Sequence, residues 1–367
     1  MLDVAIIGGG LSGLSLAHSL VPSDVSFTVF ESRERFGGRI YSVAPTEAPP
    51  EKIDYSAKYD LGPSWVWPAY QPRLARFLHQ HNIVAFPQWT KGQSLYQTDK
   101  DSLPQAFIDE TPYASARRLV GGCYRLIDIL LQQVPETALK LSHHLHKVVD
   151  RGEHVDLHFN VGAVETVVAA RQVAITLPPR LTATSITFSP ELDARFNTLM
   201  ENTVTWMGGH AKAVICYDTP FWRASNYSGS AFAVYPGAAL AEIFDATLTE
   251  EKYPALSGFF ALPALMRQQY RDDLEALILA QLVRLFGNQA AAPKKFFIKD
   301  WFSDPLTATA ADEIPPQSHP QYGHDWFQLD HWKGKMYFAG TETAREFGGY
   351  LEGALESAER VRKALRM

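Results

Sequence analysis

The stretch "LDVAIIGGGLSGLSLAHSL", residues 2–20, decides the fold. Val4 to Ile7 is an apolar run of the length of a short buried strand. Gly8-Gly9-Gly10-Leu11-Ser12-Gly13 follows, and apolar residues then recur at Leu14, Ala17 and Leu20 with helical spacing. Gly8, Gly10 and Gly13 therefore fit G-x-G-x-x-G at a strand-to-helix turn. Gly8 permits the tight turn, Gly10 lets backbone approach a pyrophosphate, and Gly13 lets helix and strand pack closely. The amides of Leu11 and Ser12 open the helix, where free N–H groups and the positive end of the dipole suit phosphate.

A second strand, 26–30, ends at Glu31, which lies 18 residues beyond Gly13, where an acid accepts ribose hydroxyls. The segment "ESRERFGGRI", 31–40, then places Ser32, Arg33, Gly37, Gly38 and Arg39 directly after that acid. A nicotinamide-binding unit has no use for a glycine pair and an arginine there. A flavin nucleotide has, because its longer body needs further donors and close backbone. Arginine is a natural bidentate phosphate partner.

The totals agree with an ordinary globular chain. Of 367 residues 46% are hydrophobic and 20% charged, which supplies ample core and suggests two domains. The formal charge of −6 and the lack of a basic stripe argue against nucleic acid. Cys123 and Cys216 are far apart, which argues against a disulfide framework or a cysteine metal site and for a cytosolic location. The apolar opening carries Asp3 where a signal peptide needs positive charge. No apolar run reaches the roughly 18–20 residues of a membrane span, so no membrane partner is expected. The histidines around His143-His144-x-His146 read as surface, and no metal site is expected.

Further motifs follow in order: "DLGPSWVWP" (60–68), "RLVGGCYRL" (118–126), "VAITLPP" (173–179), "MGGHAKAVICYDTPFW" (207–222), "KDW" (299–301) and "FAGTETAREFGGYLEGALESAER" (338–360). Together with the opening they resemble the flavin-containing amine oxidases, the monoamine oxidase family. The resemblance implies an α/β fold: a Rossmann-like FAD-binding domain of the glutathione-reductase/p-hydroxybenzoate-hydroxylase type, with a discontinuous α+β substrate domain. The FAD-binding part is expected at 1–69, 117–184 and 326–367, and the substrate part at 70–116 and 185–325. Strands are expected at 145–149, 155–159, 173–177 and 335–339, a helix at 272–286, and a proline-rich loop at 315–320.

By resemblance, the cofactor-binding set also takes in Gly62, Pro63, Ser64, Leu145, Trp301, Gly340, Thr341, Glu342, Gly349, Tyr350 and Leu351. The last helix start faces the flavin, and its bare glycines let the ring lie close. Glu342 holds the ribityl or pyrophosphate region. Tyr350 stands beside the flavin at the substrate cavity, or is a plain core aromatic.

Residues 207–217 read as a strand with His210, Lys212, Val214 and Cys216 on one face and Ala211, Ala213, Ile215 and Tyr217 on the other. A lysine in so apolar a strand is costly to bury unless paired or hydrated. The family's lysine at this position holds a water beside the flavin and assists its reoxidation by oxygen. Lys212 is therefore the catalytic candidate, against a lysine that merely snorkels from an edge strand. His210 is either a structural or a cavity residue.

The chain departs from the family in three ways. Segment 301–312 contains no cysteine, so FAD is expected to bind without a covalent bond. That segment also lacks the tyrosine that would face Tyr350 in an aromatic cage, and Trp65 and Trp67 are the candidate replacements. Finally, few residues separate "WVWPAYQPRL" from "ARRLVGG", so the substrate part is reduced and its cavity open or shallow. The expected reaction is oxidation of a small amine to an imine by hydride transfer to the flavin, with O2 taking the electrons and yielding H2O2. A carbon–carbon desaturase or isomerase, and a non-catalytic FAD-binding protein, are the alternatives.

Overall fold

The computed structural model describes residues 1–45, 57–108, 113, 115–316 and 318–366. Parts of the expected segments 1–69, 70–116, 185–325 and 326–367, and of the loop 315–320, thus lie outside the described residues.

The opening strand, Leu2–Ile7, is central in a parallel array. Phe27–Phe30 pairs with it on one side and the end of Val164–Ile175 on the other. Residues 4–7 are all buried, as a strand covered on both faces requires. Leu139–Lys140 extends the array beyond Phe27–Phe30. Met336–Phe338 joins in parallel beside residues 173–175. The long strand Val164–Ile175 serves two arrangements. Its first half makes an antiparallel hairpin with Val155–Val161, which in turn pairs with His144–Asp150. Its second half belongs to the parallel array. Among the described residues this sheet has eight strands.

Helices Leu11–Leu20, Tyr124–Gln133 and Leu351–Ala364 cover one face, packing Leu14, Leu126, Ile127 and Val361 over Val4 and Ile6. The other face holds Phe30, Phe159 and Phe338 with Phe196 and Met200. Strand Thr187–Ser189 pairs with residues 147–149 of this sheet, and helix Ala194–Asn202 packs on it through Phe196. The chain therefore stays with the first sheet past residue 185, the expected boundary. Alternation in this stretch is too short to assign it to one sheet or the other.

Among the described residues the second sheet has seven strands, in the order Lys295–Asp300, Ala211–Cys216, Ala255–Phe260, Leu240–Asp245, Tyr227–Ala233, Gln93–Gln97, Gln105–Phe107. Helix Leu274–Phe286 covers one face, burying Leu274, Ile278, Leu282 and Leu285 against Ala211, Ala213 and Ile215. Gln281, on the same helix, donates to Leu240 O and accepts from Leu240 N, both at 2.8 Å. The opposite face carries Val214, Cys216 and Phe244 and meets Tyr59, Leu61 and Trp65 of the first part.

The expected strand at 207–217 is shorter than its apolar pattern, starting only at Ala211. Residues 205–210 form turns, with Met207 at φ 60° and its carbonyl accepting from His210 N. The expected helix at 272–286 begins at Leu274 after a tight turn at Arg271–Asp273.

One long-range cap ties the layers together. Helix Pro72–Gln80 has no side-chain cap of its own. The carboxylate of Glu352, on the last helix and fully buried, accepts from Arg73 N at 3.0 Å and Leu74 N at 2.8 Å instead. Glu352→Ala strands both amides. It should lower stability by about 2 kcal/mol in urea unfolding, and Glu352→Gln by less.

Candidate active site

A cavity of about 580 Å³ runs between the two sheets. One end is built from the glycine turn, Gly8, Gly10, Leu11 and Ser12, with Glu31, Arg33, Gly38 and Arg39. The other end reaches Tyr350, Trp67, Lys212 and Trp301, and Gly62, Pro63 and Ser64 form the wall between. The two helix starts, at Leu11 and Leu351, border the same space, as do Thr341 and Gly349.

The glycines of the turn are bare for different reasons. A Cβ on Gly13 would stand 2.0 Å from Gly8 O, so that residue serves helix–strand packing. Gly10 is different. Its φ of −82° and ψ of −175° suit any residue, and a Cβ there would meet no protein atom closer than 4.0 Å. Gly10 lines the cavity, so the space beside it is kept for an occupant. The first helix has no side-chain cap and no acid in its first turn, which leaves its N–H groups to a phosphate. Both features fit an FAD pyrophosphate.

Glu31, 3% exposed, is held by Gly9 N at 2.8 Å and Arg33 N at 2.9 Å. Arg33 pairs with Asp304 at 3.0 Å and bonds Thr307 Oγ1 at 2.9 Å. Arg39 is spent on Glu342, Nη1 on Oε1 at 2.5 Å and Nη2 on Oε2 at 3.1 Å. Neither guanidinium is a free fork, so each offers a phosphate only its remaining donors.

Five of the expected cofactor residues stand behind the wall of the cavity. Gly13 packs the first helix on Gly8. Ser32 turns toward His143 O. Leu145 is core beside Phe159. Gly340 approaches the Leu177 backbone, and Glu342 reaches the site through Arg39. The remainder of that set borders the cavity.

Lys212 sits in an interior strand, 2% exposed, so it does not snorkel. Its Nζ donates to Gly62 O at 3.1 Å and to Ser64 Oγ, which leaves the third ammonium hydrogen for the cavity. The Phe244 and Phe259 rings stand 5.5 and 5.4 Å from it. Burial pulls its pKa down to about 8, with buried Asp60 the main opposing charge. His210 also borders the cavity; burial and Arg267 lower its pKa, and its buried Nδ1 has no hydrogen-bond partner among the described residues. Trp301 donates Nε1 to Leu61 O at 2.9 Å and is fixed as a wall.

The surroundings of Tyr350 differ from the expected tryptophan pair. Trp67 meets its ring edge-on at 6.4 Å, while Trp65 also borders the cavity but packs its ring on Tyr113 and Phe244. Trp206 at 6.0 Å and His319, stacked at 5.0 Å, are the neighbours that sequence reading missed. Trp206 stands immediately before the motif beginning at Met207, and contact with Gly349 rather than any spacing rule brings it here. Glu242, Phe259 and Phe260 of the second sheet were missed as well. Glu242 did leave a signal, an acid inside an apolar strand.

A glycine-lined turn on a parallel strand array, joined through one cavity to a second sheet, defines a two-part dinucleotide-binding fold. Comparison with known proteins gives the family. Residues 97–364 match the family model for flavin containing amine oxidoreductase, and residues 6–81 match that for an NAD(P)-binding Rossmann-like domain. The amine oxidase [flavin-containing] A of Bos taurus is 26% identical, over 98% of this chain and 84% of that protein. A probable flavin-containing monoamine oxidase A of Dictyostelium discoideum is 22% identical, over 100% and 98%. Among solved structures, cyclohexylamine oxidase from Brevibacterium oxydans matches with TM-score 0.79 at 18% identity, covering 99% of this chain and 98% of that one. Putrescine oxidase bound to putrescine matches with TM-score 0.76 at 19% identity, with the same coverage. At these identities the structures show the fold. The chain belongs to the flavin-containing amine oxidoreductase family, and its cofactor is FAD.

Cys123 and Cys216 are both buried and neither borders the cavity, so no thiol is placed to bond the flavin. Acid precipitation of the holoprotein should leave all of the flavin in the supernatant. Gly10→Ala should fold with nearly unchanged stability yet weaken FAD binding at least about tenfold, as overpacking does. Gly13→Ala should instead lower the stability of the apoprotein. Flavin titration and thermal melts separate the two.

Proposed function

We propose that this flavin-dependent amine oxidase takes a small amine at the Tyr350 end of the cavity and oxidises it to an imine, with O2 as electron acceptor and H2O2 as product. The observation that carries the reading is one continuous cavity joining the glycine-lined cradle to a buried lysine. FAD, when bound, supplies a two-electron acceptor for the hydride beside the amine nitrogen and returns the electrons to dioxygen.

The protein's own residues position and tune. The rings of Tyr350, Trp67 and Trp206 strip water from the incoming amine, and low polarity favours its neutral, reactive form. Lys212 supplies a positive charge in a nearly dry site, where it acts more strongly than in water. Ser64 and Gly62 O fix its direction. Its charge is retained below about pH 8 and lost above. No dedicated general base is needed, because the substrate nitrogen is already deprotonated. A cytosolic site of action belongs to the same reading, supported by two unpaired thiols. No helix among the described residues is long and apolar enough to cross a membrane.

Peroxide should appear on incubation with members of an amine panel, and its absence with every amine would refute the reading. Lys212→Met should keep FAD bound but slow reoxidation by O2 on the order of 100-fold, the scale of lost electrostatic stabilisation. Wild-type reoxidation should fall as pH rises through about 8, as the ammonium deprotonates, while the variant shows no such step. Stopped-flow reoxidation across pH checks both.

A further inference from the structure

His210 borders the cavity two residues before Lys212, and the reaction above gives it no task. Its backbone is fixed on both sides. His210 N donates to Met207 O at 3.2 Å, and His210 O accepts from Trp301 N at 3.0 Å. Its half-buried imidazole makes no hydrogen bond or ion pair with any described residue, and Nδ1 is sealed from solvent. A buried polar atom without a partner costs stability and calls for a reason.

Arg267 decides which form of the ring is present. This guanidinium, 3% exposed, donates to Gly209 O at 3.0 Å and to the Asp300 carboxylate at 2.7 and 2.8 Å, which seats it beside the His210 backbone. Burial first, and then the Arg267 charge, hold the imidazole pKa below its ordinary value, so the ring is neutral at neutral pH. A neutral imidazole carries one N–H. On Nδ1 that hydrogen would be shut in without an acceptor, in the field of a positive charge. A bare lone pair on Nδ1 suits the same field. The hydrogen therefore sits on Nε2, the ring nitrogen that is not sealed in.

His210 and Lys212 share one face of the chain, roughly 7 Å apart along it, and both line the end of the cavity closed by Trp301. One supplies a cation and the other an uncharged donor. A donor needs an acceptor. A substrate ammonium has no lone pair to offer, and a neutral amine needs its lone pair for the reaction. A flavin ring has carbonyl oxygens and ring nitrogens along its edge, and they gain negative charge on reduction. We infer that the Nε2–H of His210 hydrogen-bonds this acceptor edge and binds the reduced cofactor more tightly than the oxidised one, which raises its reduction potential. The difference arises because a hydrogen bond to a charged acceptor is roughly twice as strong as one to a neutral acceptor. The inference rests on FAD lying with its ring at the Lys212 end, and it does not depend on an amine as substrate.

The test reads binding and potential without turnover. In His210→Leu the dissociation constant of oxidised FAD should rise about tenfold, the scale of one hydrogen bond. That of reduced FAD should rise about 100-fold. The midpoint potential should therefore fall by about 30 mV, the equivalent of that tenfold difference for a two-electron couple. His210→Gln keeps an uncharged donor near the position of Nε2 and should recover most of both losses. The His210→Leu apoprotein should be as stable in urea as wild type or more so, since the variant removes an unpartnered buried nitrogen. An unchanged potential would overturn the inference. So would a less stable apoprotein whose FAD affinity falls equally in both redox states, the mark of a packing role. Wild type gives an independent reading if the leucine variant does not fold. The 15N resonance of His210 Nε2, assigned by its loss in His210→Gln, should move when FAD binds and again when it is reduced, and a resonance that stays in place would overturn the inference. A wild type that takes up no FAD would overturn the cofactor assignment with it, whereas failure to oxidise any amine would overturn only the proposed function.

Discussion

The ion pair of Arg39 and Glu342 holds the two ends of the chain to one site. The residues are 303 positions apart and meet through two parallel hydrogen bonds. Glu342 has no exposure, and it also accepts from Trp206 N at 3.3 Å. Arg39 in turn donates to Trp206 O at 3.1 Å. Three distant segments, the glycine pair at 37–38, the turn at 205–207 and the loop before the last helix, are thereby set against each other. Losing one member of such a buried pair costs about 3–5 kcal/mol, because the other charge is left stranded. Trp206 is pressed so closely on Gly349 that a Cβ there would lie 2.7 Å from its own Cβ. The pair thus shapes the Tyr350 end of the cavity without touching it.

The cofactor half was the more legible half in the sequence. Gly8, Gly10, Gly13 and Glu31 carry a pattern in which spacing alone encodes geometry, and the parallel array around Leu2–Ile7 follows from it. Boundaries were less visible. Thr187–Ser189 and Phe196 join the first sheet through contacts between residues far apart in sequence, which no local pattern encodes. The strand of Lys212 was legible because it alternates. Val214 and Cys216 face one core, Ala213 and Ile215 the other.

The walls of the substrate end were poorly legible, for a physical reason. Aromatic rings are ordinary core residues, and only their meeting in space gives them a role. His319 stacks on Tyr350 from a loop with no periodicity to read. A charge in an apolar strand is a better signal, and that reasoning located Lys212. Applied to Leu240–Asp245, it marks Glu242 and Asp245 alike. Only the structure separates them: among the described residues Asp245 accepts from three donors and Glu242 from the Tyr113 hydroxyl alone.

The parallel array is completed by Met336–Phe338, and the wall of the cavity by Thr341, Gly349 and Tyr350. Strand and wall alike come from residues more than 300 positions beyond the opening strand, so a chain cut before residue 336 lacks both a strand of the array and one side of the nucleotide cradle.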